Sequence, residues 1–239
     1  MRKIAIFTEG QSEQIFIRHL LLRTMDCSKM GFSCLRLHAG KTIHVPFDYP
    51  NPNAEVCFLI VNVGQDEKVL SVIKEREKDL IKKGFERIIG LRDMYSEEYS
   101  KRSPNGIDNS VTRAFIDGWN STIQSMSNPS KIKMHIAIME LEAWFLGMYN
   151  MFERLNPALH IDYIERELGF NLSVIDPQTE FFKPTDIVSN ILQLISWQYK
   201  KSEHDIESIC SRINMSDFSN AFENGRCTSF KDFYNEILN

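Results

Sequence analysis

Four acidic residues of this 239-residue chain each come after a short apolar run: Glu9, Asp93, Glu140 and Glu142. Clustered carboxylates repel one another, and they stay ionised only if a cation lies among them. Oxygen ligands without His or Cys favour Mg²⁺, Mn²⁺ or Ca²⁺ over zinc or copper. Such an ion can polarise a phosphoryl oxygen and lower the pKa of a bound water, while a free carboxylate can act as general acid or base. If the fold brings these acids together, they predict a metal-dependent phosphoryl-transfer site.

The apolar runs before the acids have the features of buried β-strands. Residues 4–7 (IAIF) are too few for a helix and are followed by Glu9 and a glycine, and residues 85–91 and 133–139 form similar runs. In a parallel sheet, neighbouring strand ends meet at one edge, and ligands of open α/β sheets bind beyond the carboxyl ends of the strands. Glu9 would project at this edge.

Each acid taken alone also has a structural alternative, as a turn or helix-capping residue. Glu13 falls in the first turn of a helix that begins near Ser12, where a carboxylate complements the helix dipole. Glu140 and Glu142 point to one face if the chain is still extended, but they diverge by about 200° if a helix has begun, and then only one can be a ligand. Because Glu is a poor turn or cap residue, we favour a functional role for the set.

Strand–helix alternation from residue 3 to about 150 predicts an α/β fold with a mainly parallel sheet. Further strands are predicted at 32–39 and 55–63, a proline-containing loop at 40–53, and helices at 66–83 and 110–126. Beyond residue 150 only helical patterns occur, at 161–168, 187–199, 204–213 and 230–238. We therefore expect a sheet domain over residues 1–150 and a helical C-terminal appendage over residues 151–239.

The composition indicates an ordinary globular chain, with 43% hydrophobic and 25% charged residues. A net charge of −4 does not indicate a nucleic-acid partner, although bound metal ions can neutralise an acidic site. The five cysteines form no Cys-x-x-Cys pair, which argues against a zinc site or disulfide framework and favours a reducing cytoplasm. We see no signal peptide and no apolar run near the ~20 residues of a membrane span, so no membrane association is expected.

Three motifs resemble those of a TOPRIM domain, in order and in their placement at strand ends. They are Thr8–Glu13 (TEGQSE), Leu91–Asp93 (LRD) and Met139–Trp144 (MELEAW). The TOPRIM pattern has a strand-end Glu-Gly and, two strands later, an Asp-x-Asp. The resemblance is to nuclease-type TOPRIM domains of the overcoming-lysogenization-defect class and to small bacterial relatives, which residues 63–70 and 182–185 also resemble. It covers residues 1 to about 150 well and the remainder weakly.

The resemblance implies a TOPRIM-like sheet and a role for each acid at the matching position. Glu9 would be the general acid/base or a metal ligand. Asp93, Glu140 and Glu142 would be ligands of Mg²⁺ or Mn²⁺, and Glu13 would be an accessory ligand. The predicted catalytic group is therefore carried by strand ends that are far apart in the sequence.

One departure from the TOPRIM pattern concerns the Asp-x-Asp, because its second Asp is Tyr95 here. Glu97 could take the place of this second Asp, although its spacing from Asp93 is different. The sequence therefore leaves open a site with one metal ion, a site with two, or a degenerate site. Lys183, held by the rigid Pro184, is a further candidate catalytic residue, although an exposed loop lysine is the more common case. Arg92 could contact a phosphate or form a structural ion pair with a neighbouring acid.

These observations predict a metal-dependent nuclease that hydrolyses DNA or RNA phosphodiesters. The resemblance further implies an effector of an anti-phage defence system with an ABC/SMC-type ATPase as partner. One alternative is a non-catalytic TOPRIM-like regulatory or binding subunit of such an ATPase complex, which Tyr95 favours. Another is a receiver-like domain phosphorylated on Asp93, which the Glu-Gly start does not suit.

Overall fold

The structure is a computed structural model that describes residues 1–64, 68–104 and 106–239. The predicted start of a helix at Asp66 and the middle of a predicted turn at residues 104–106 lie outside the described residues. Residues 65–67 of the stretch 63–70, which resembles small TOPRIM relatives, also lie outside them.

A six-stranded sheet forms the centre of the α/β fold. Its strands are β1 (Arg2–Thr8), β2 (Met30–His38), β3 (Lys41–His44), β4 (Val56–Asn62), β5 (Arg87–Asp93) and β6 (Ile132–Ala137), in the order β3-β2-β4-β1-β5-β6. β1 pairs in parallel with β4 and β5, and β2 pairs in parallel with β4, whereas β3 is antiparallel to β2. The predicted mainly parallel sheet is confirmed, while β3 lies in a stretch that was predicted as a loop.

Twelve α-helices occur in the described part of the chain. They are α1 (Gln11–Thr24), α2 (Val69–Lys82), α3 (Glu97–Arg102), α4 (Asn109–Gln124), α5 (Leu141–Gly147), α6 (Asn150–Leu155), α7 (Ile161–Leu168), α8 (Pro177–Glu180), α9 (Pro184–Gln193), α10 (Glu203–Arg212), α11 (Met215–Ala221) and α12 (Thr228–Leu238). The predicted helical C-terminal portion is therefore confirmed. None of these helices is long and apolar enough to cross a membrane.

The chain divides into two compact units. The first comprises residues 1–92 and 108–136, and the second comprises residues 93–107 and 137–239. The first contains nearly the whole sheet with α1, α2 and α4, and the second contains α3 and α5–α12. The division at residue 150 expected from the sequence stays a prediction about domains.

In the first unit the core is built on β1, whose residues Ile4–Phe7 are all buried. Ala5 and Phe7 belong to a buried cluster that includes Ile73 of α2 and Ile123 of α4, so these two helices cover one face of the sheet. Crossover connections between parallel strands are right-handed, and those that run in opposite directions along a sheet place their helices on opposite faces. The connection from β1 to β2 runs opposite to that from β4 to β5, and α1 therefore covers the other face.

In the second unit the core surrounds α5, all seven residues of which are buried. The Trp144 ring stacks on Phe233 with centroids 5.5 Å apart, and its indole N–H donates to Ser229 Oγ at 3.0 Å. A buried indole needs such an acceptor, because an unsatisfied N–H in the interior is costly. Trp144 is fully buried and is a core residue of this unit. α5 is thus a fixed support for the acids at its N-terminus.

Candidate carboxylate–lysine site

The second unit holds three of the predicted acids at the point where β5 and β6 end. Asp93 is the last residue of β5, and Glu140 is the N-cap residue of α5, with Glu142 in the first helical turn. The Tyr95 amide donates to the carbonyl of Met139 at 2.7 Å, which holds the chain after β5 against the turn that enters α5. Met139 has φ of +62° in this turn, a strained conformation for a residue with a side chain.

Asp93 and Glu140 are each fixed by a backbone amide. Asp93 Oδ1 accepts a hydrogen bond from the Leu141 amide at 2.9 Å, at the first residue of α5. Glu140 Oε2 accepts one from the Thr185 amide at 2.9 Å, in the first turn of α9. Amide donors at helix N-termini favour carboxylates, because the exposed N–H groups and the helix dipole both attract negative charge. The two acids are therefore bound at helix ends even without a metal ion.

Glu142 is the most buried acid of the group, with a relative exposure of 0%. Its Oε1 accepts a hydrogen bond from the Tyr199 hydroxyl at 2.6 Å, and its Oε2 lies 2.9 Å from Lys201 Nζ. The same ammonium nitrogen lies 3.6 Å from Glu140 Oε1. The helix has begun at Leu141, yet Glu140 and Glu142 serve one site because Lys201 lies within reach of both. This answers the question of orientation that the sequence left open.

Charge at this site explains two shifted titrations. Burial lowers the pKa of Lys201, but the charges of Glu142, Asp93 and Glu140 outweigh it, and the pKa is raised above its ordinary value. Burial, reinforced by Glu142, raises the pKa of Tyr199, which therefore keeps its proton as a hydrogen-bond donor. Lys201 is thus held as a cation among carboxylates.

The donors at this site are compatible with one divalent cation beside Lys201. Three carboxylates (−3) and one ammonium (+1) leave a formal charge of −2, which one Mg²⁺ or Mn²⁺ would neutralise. The donors are all oxygen atoms, as these ions prefer, and the side chain of Glu140 is 14% exposed. In the described residues, however, no group of three or more His, Cys, Asp or Glu side chains is already arranged to hold a metal ion. Asp93 and Glu140 would be the ligands.

Glu9 and Arg92 form an ion pair in the first unit. Glu9 Oε2 lies 3.8 Å from Arg92 Nε, and the two side chains are only 12% and 9% exposed. The Arg92 guanidinium also lies 5.1 Å from the centre of the Trp119 ring, in a cation–π contact. Of the roles considered for Arg92, the structure therefore contains the ion pair with Glu9. Glu9 belongs to the first unit, and the structure brings together Asp93, Glu140 and Glu142 in the second.

Glu13 has the helix-capping geometry that the sequence allowed. Its Oε2 accepts a hydrogen bond from the Gly10 amide at 2.8 Å, and the residue is 5% exposed. This bond satisfies a backbone donor at the N-terminus of α1, and a carboxylate there also complements the helix dipole. Its role as an accessory metal ligand stays a prediction.

The remaining candidates lie at the margins of the second unit. Lys183 is exposed immediately before α9. The Tyr95 ring packs edge-on against Phe182 at 5.6 Å, and Glu97 forms an exposed ion pair with Lys101. Sequence reasoning missed Lys201, because a lysine in a short turn before α10 carries no signal that links it to distant acids.

The comparisons with known proteins give one family. The family model described as "Domain of unknown function (DUF4276)" matches residues 8–238. The chain belongs to the DUF4276 family. A search of curated proteins and a search of solved structures each found no match. The DUF4276 match includes all the acids above and Lys201, so the family model covers both compact units.

Proposed function

We propose that this DUF4276 protein is a metal-dependent nuclease that hydrolyses phosphodiester bonds of DNA or RNA. The observation that carries the proposal is the convergence of Asp93, Glu140 and Glu142 on Lys201. The excess negative charge of that group matches one divalent cation, and a lysine beside carboxylates can neutralise charge on a phosphate. The TOPRIM resemblance of the three strand-end motifs supports the same chemistry.

Each residue has a separate task in this proposal. A Mg²⁺ or Mn²⁺ ion held by Asp93 and Glu140 would supply Lewis-acid activation of the phosphate and of water. Glu142 is fixed by Tyr199 and orients the Lys201 ammonium, which offers positive charge to phosphate oxygens. Glu9 belongs to the first unit, and its role as general acid/base or metal ligand stays what the resemblance implies. Lys183 remains a candidate catalytic residue at the exposed start of α9.

The test is cleavage of plasmid, single-stranded DNA and tRNA by the purified full chain, with Mg²⁺, Mn²⁺ or EDTA. We expect cleavage that needs metal and falls by at least about 100-fold in Glu140→Gln, since one ligand is lost. Glu180→Gln, an exposed acid of α8, is the matched control. Titration with Mn²⁺ followed by calorimetry should show one site in the native chain and weaker binding in Glu140→Gln.

A second candidate function is a non-catalytic regulatory or binding subunit. The observation that favours it is Lys201 itself, which already supplies a cation to Glu140 and Glu142. Tyr95, in place of an acid, points the same way. This candidate predicts no cleavage and no Mn²⁺ binding, but stable association with a partner in the presence of EDTA.

We further propose a cellular setting for either function. The resemblance implies an anti-phage effector or subunit in the cytoplasm, with an ABC/SMC-type ATPase as partner. Co-purification of a tagged chain with an ATPase encoded beside it would support this setting. Recovery of the chain alone under conditions that preserve such complexes would contradict it.

A further inference from the structure

The first unit has a crevice at the place where α/β sheets bind ligands. The chain leaves β1 towards β2 over one face of the sheet and leaves β4 towards β5 over the other, so these neighbouring strands lie at a topological switch point. Ligands of open α/β sheets bind in the gap beyond the carboxyl ends of such strands. Here Gly10 and Gly64 line this gap.

A cleft of about 350 Å³ occupies this gap, and a second of about 500 Å³ adjoins it. The two clefts share Leu37, His38 and Gly64. Gly64 has φ of +73°, and a Cβ there would lie 3.3 Å from the Leu37 carbonyl oxygen. Because glycine has no Cβ, the chain can pass close to β2 at this point. We call the two together the switch-point groove. Each volume is in the range of natural small-molecule pockets.

Asn62 lines the first cleft, and the described residues leave one of its hydrogen-bonding atoms without a partner. The residue is 5% exposed, and its Oδ1 has no hydrogen-bond partner in the part of the chain that the structure describes. Strand register places it between Thr8 of β1 and Arg36 of β2, with the three side chains on one face of the sheet. Buried amide oxygens are nearly always paired, so this one is open to a donor that the described residues do not supply.

Among the described residues, the charged side chains that line the switch-point groove are mainly basic. Arg36 lines the first cleft, and His38 lines both clefts. Lys68 and Arg76 line the second cleft. The acid of the first cleft, Glu9, is paired with Arg92, and the second cleft has the exposed Glu75.

Helix α1 adds a weaker positive contribution to the same cleft. The helix has fourteen residues and begins at the wall of the first cleft, where its dipole is positive. The Gly10 amide already donates to Glu13, so the side chains rather than this amide would carry most of the anion binding.

We propose that the switch-point groove binds a nucleoside phosphate. The ligand's hydroxyl or amino donors would pair with Asn62 Oδ1, with a small local adjustment because this atom is covered. Its phosphate groups would contact Arg36, Lys68 and Arg76, which are spread over both clefts. A nucleotide joins these two chemistries at the right scale, since one end donates hydrogen bonds and the other is anionic. This site does not depend on the nuclease proposal.

Isothermal titration of the full chain in EDTA tests the site without contribution from a metal. The ligands are adenosine and guanosine 5′-mono- and diphosphates, with the free nucleosides and inorganic phosphate as separate arms. We expect a nucleotide to bind, and Arg36→Ala to weaken that binding by at least about tenfold, since a charge-assisted contact is lost. Arg113→Ala, an exposed arginine on α4 with the same change of charge, should leave the affinity unchanged.

Two outcomes would overturn the proposal. Failure of all four nucleotides to bind a chain with a normal melting temperature excludes the site. Equal affinity for inorganic phosphate and for nucleotides would reduce the groove to an anion site. Asn62→Leu tests the two ends of the ligand separately. It should weaken the binding of nucleotides and leave any binding of inorganic phosphate unchanged. Nuclease activity is measured in parallel. Because binding is measured directly and in EDTA, the presence or absence of nuclease activity does not decide whether the groove binds a nucleotide.

Discussion

Lys201 Nζ lies 2.9 Å from Oε2 of Glu142, a carboxylate whose residue has no exposed surface. The pair joins the turn before α10 to the first turn of α5. A buried carboxylate is strongly disfavoured unless a cation and hydrogen-bond donors surround it, and here Lys201 and Tyr199 supply both. We therefore expect the charge state of this pair to affect the stability of the second unit, whichever function it serves.

Removal of the lysine should destabilise the protein. Lys201→Met leaves Glu142 buried without its cation, and we expect a loss of about 2–3 kcal/mol in the free energy of unfolding, less than for a fully buried pair because Lys201 is 33% exposed. Urea unfolding measures it. Lys200→Met, an exposed neighbour, is the control. If the double variant Lys201→Met/Glu142→Gln is no more stable than Lys201→Met alone, the pair does not act as described.

Stability should decline in alkali. The pKa values of Tyr199 and Lys201 are raised above their ordinary values of 10.0 and 10.5, so the folded state keeps protons that the unfolded state releases. Their contribution is complete below about pH 10 and is lost progressively above it, because the unfolded state then binds fewer protons. Urea unfolding at several pH values between about 9 and 11 measures the slope. Tyr199→Phe should make the decline shallower, and an unchanged slope would contradict the assignment.

Two glycine-to-alanine substitutions should have opposite effects. A Cβ on Gly147 of α5 would lie 2.4 Å from Cys227 Sγ, so Gly147→Ala should cost about 1–3 kcal/mol. Gly118 of α4 has open space around it, and Gly118→Ala should add roughly 0.5–1 kcal/mol because alanine favours the helix. Thermal unfolding distinguishes them. Adding Cys227→Ala should restore part of the loss at Gly147, and no restoration would show that the contact is not the cause.

Thiol reactivity should divide the five cysteines into two classes. Cys34, Cys210 and Cys227 are buried, whereas Cys27 and Cys57 are half-buried. Burial also raises the pKa of Cys34 to about 12, which lowers its thiolate fraction further. Titration with Ellman's reagent should therefore detect two fast thiols in the native protein and all five after denaturation. Cys27→Ser/Cys57→Ser should remove the fast phase, and a fast phase that persists would contradict the burial pattern.

The sequence could predict the parts of the fold whose signal is local. The run of residues 4–7 predicted a buried strand, and the structure has β1 there with all four buried. The apolar runs before Asp93 and Glu140 likewise predicted strand ends, which is where these acids are found. The spacing of one strand from the next was enough to give a parallel sheet.

The sequence could not predict the partners of the site. Lys201 and Tyr199 reach Glu142 across many intervening residues, and neither the type nor the spacing of a turn lysine records that contact. β3 was missed for a different reason, because its four residues are exposed and lack the apolar alternation of a half-buried strand.

β3 also affects how copies of this protein meet. It is the outermost strand on one side of the sheet, and it is only four residues long, Lys41–His44, with every residue exposed. A short, hydrated edge with a lysine offers another chain few open backbone groups to pair with. Growth of ordered aggregates by addition of strands is therefore disfavoured at this side of the molecule.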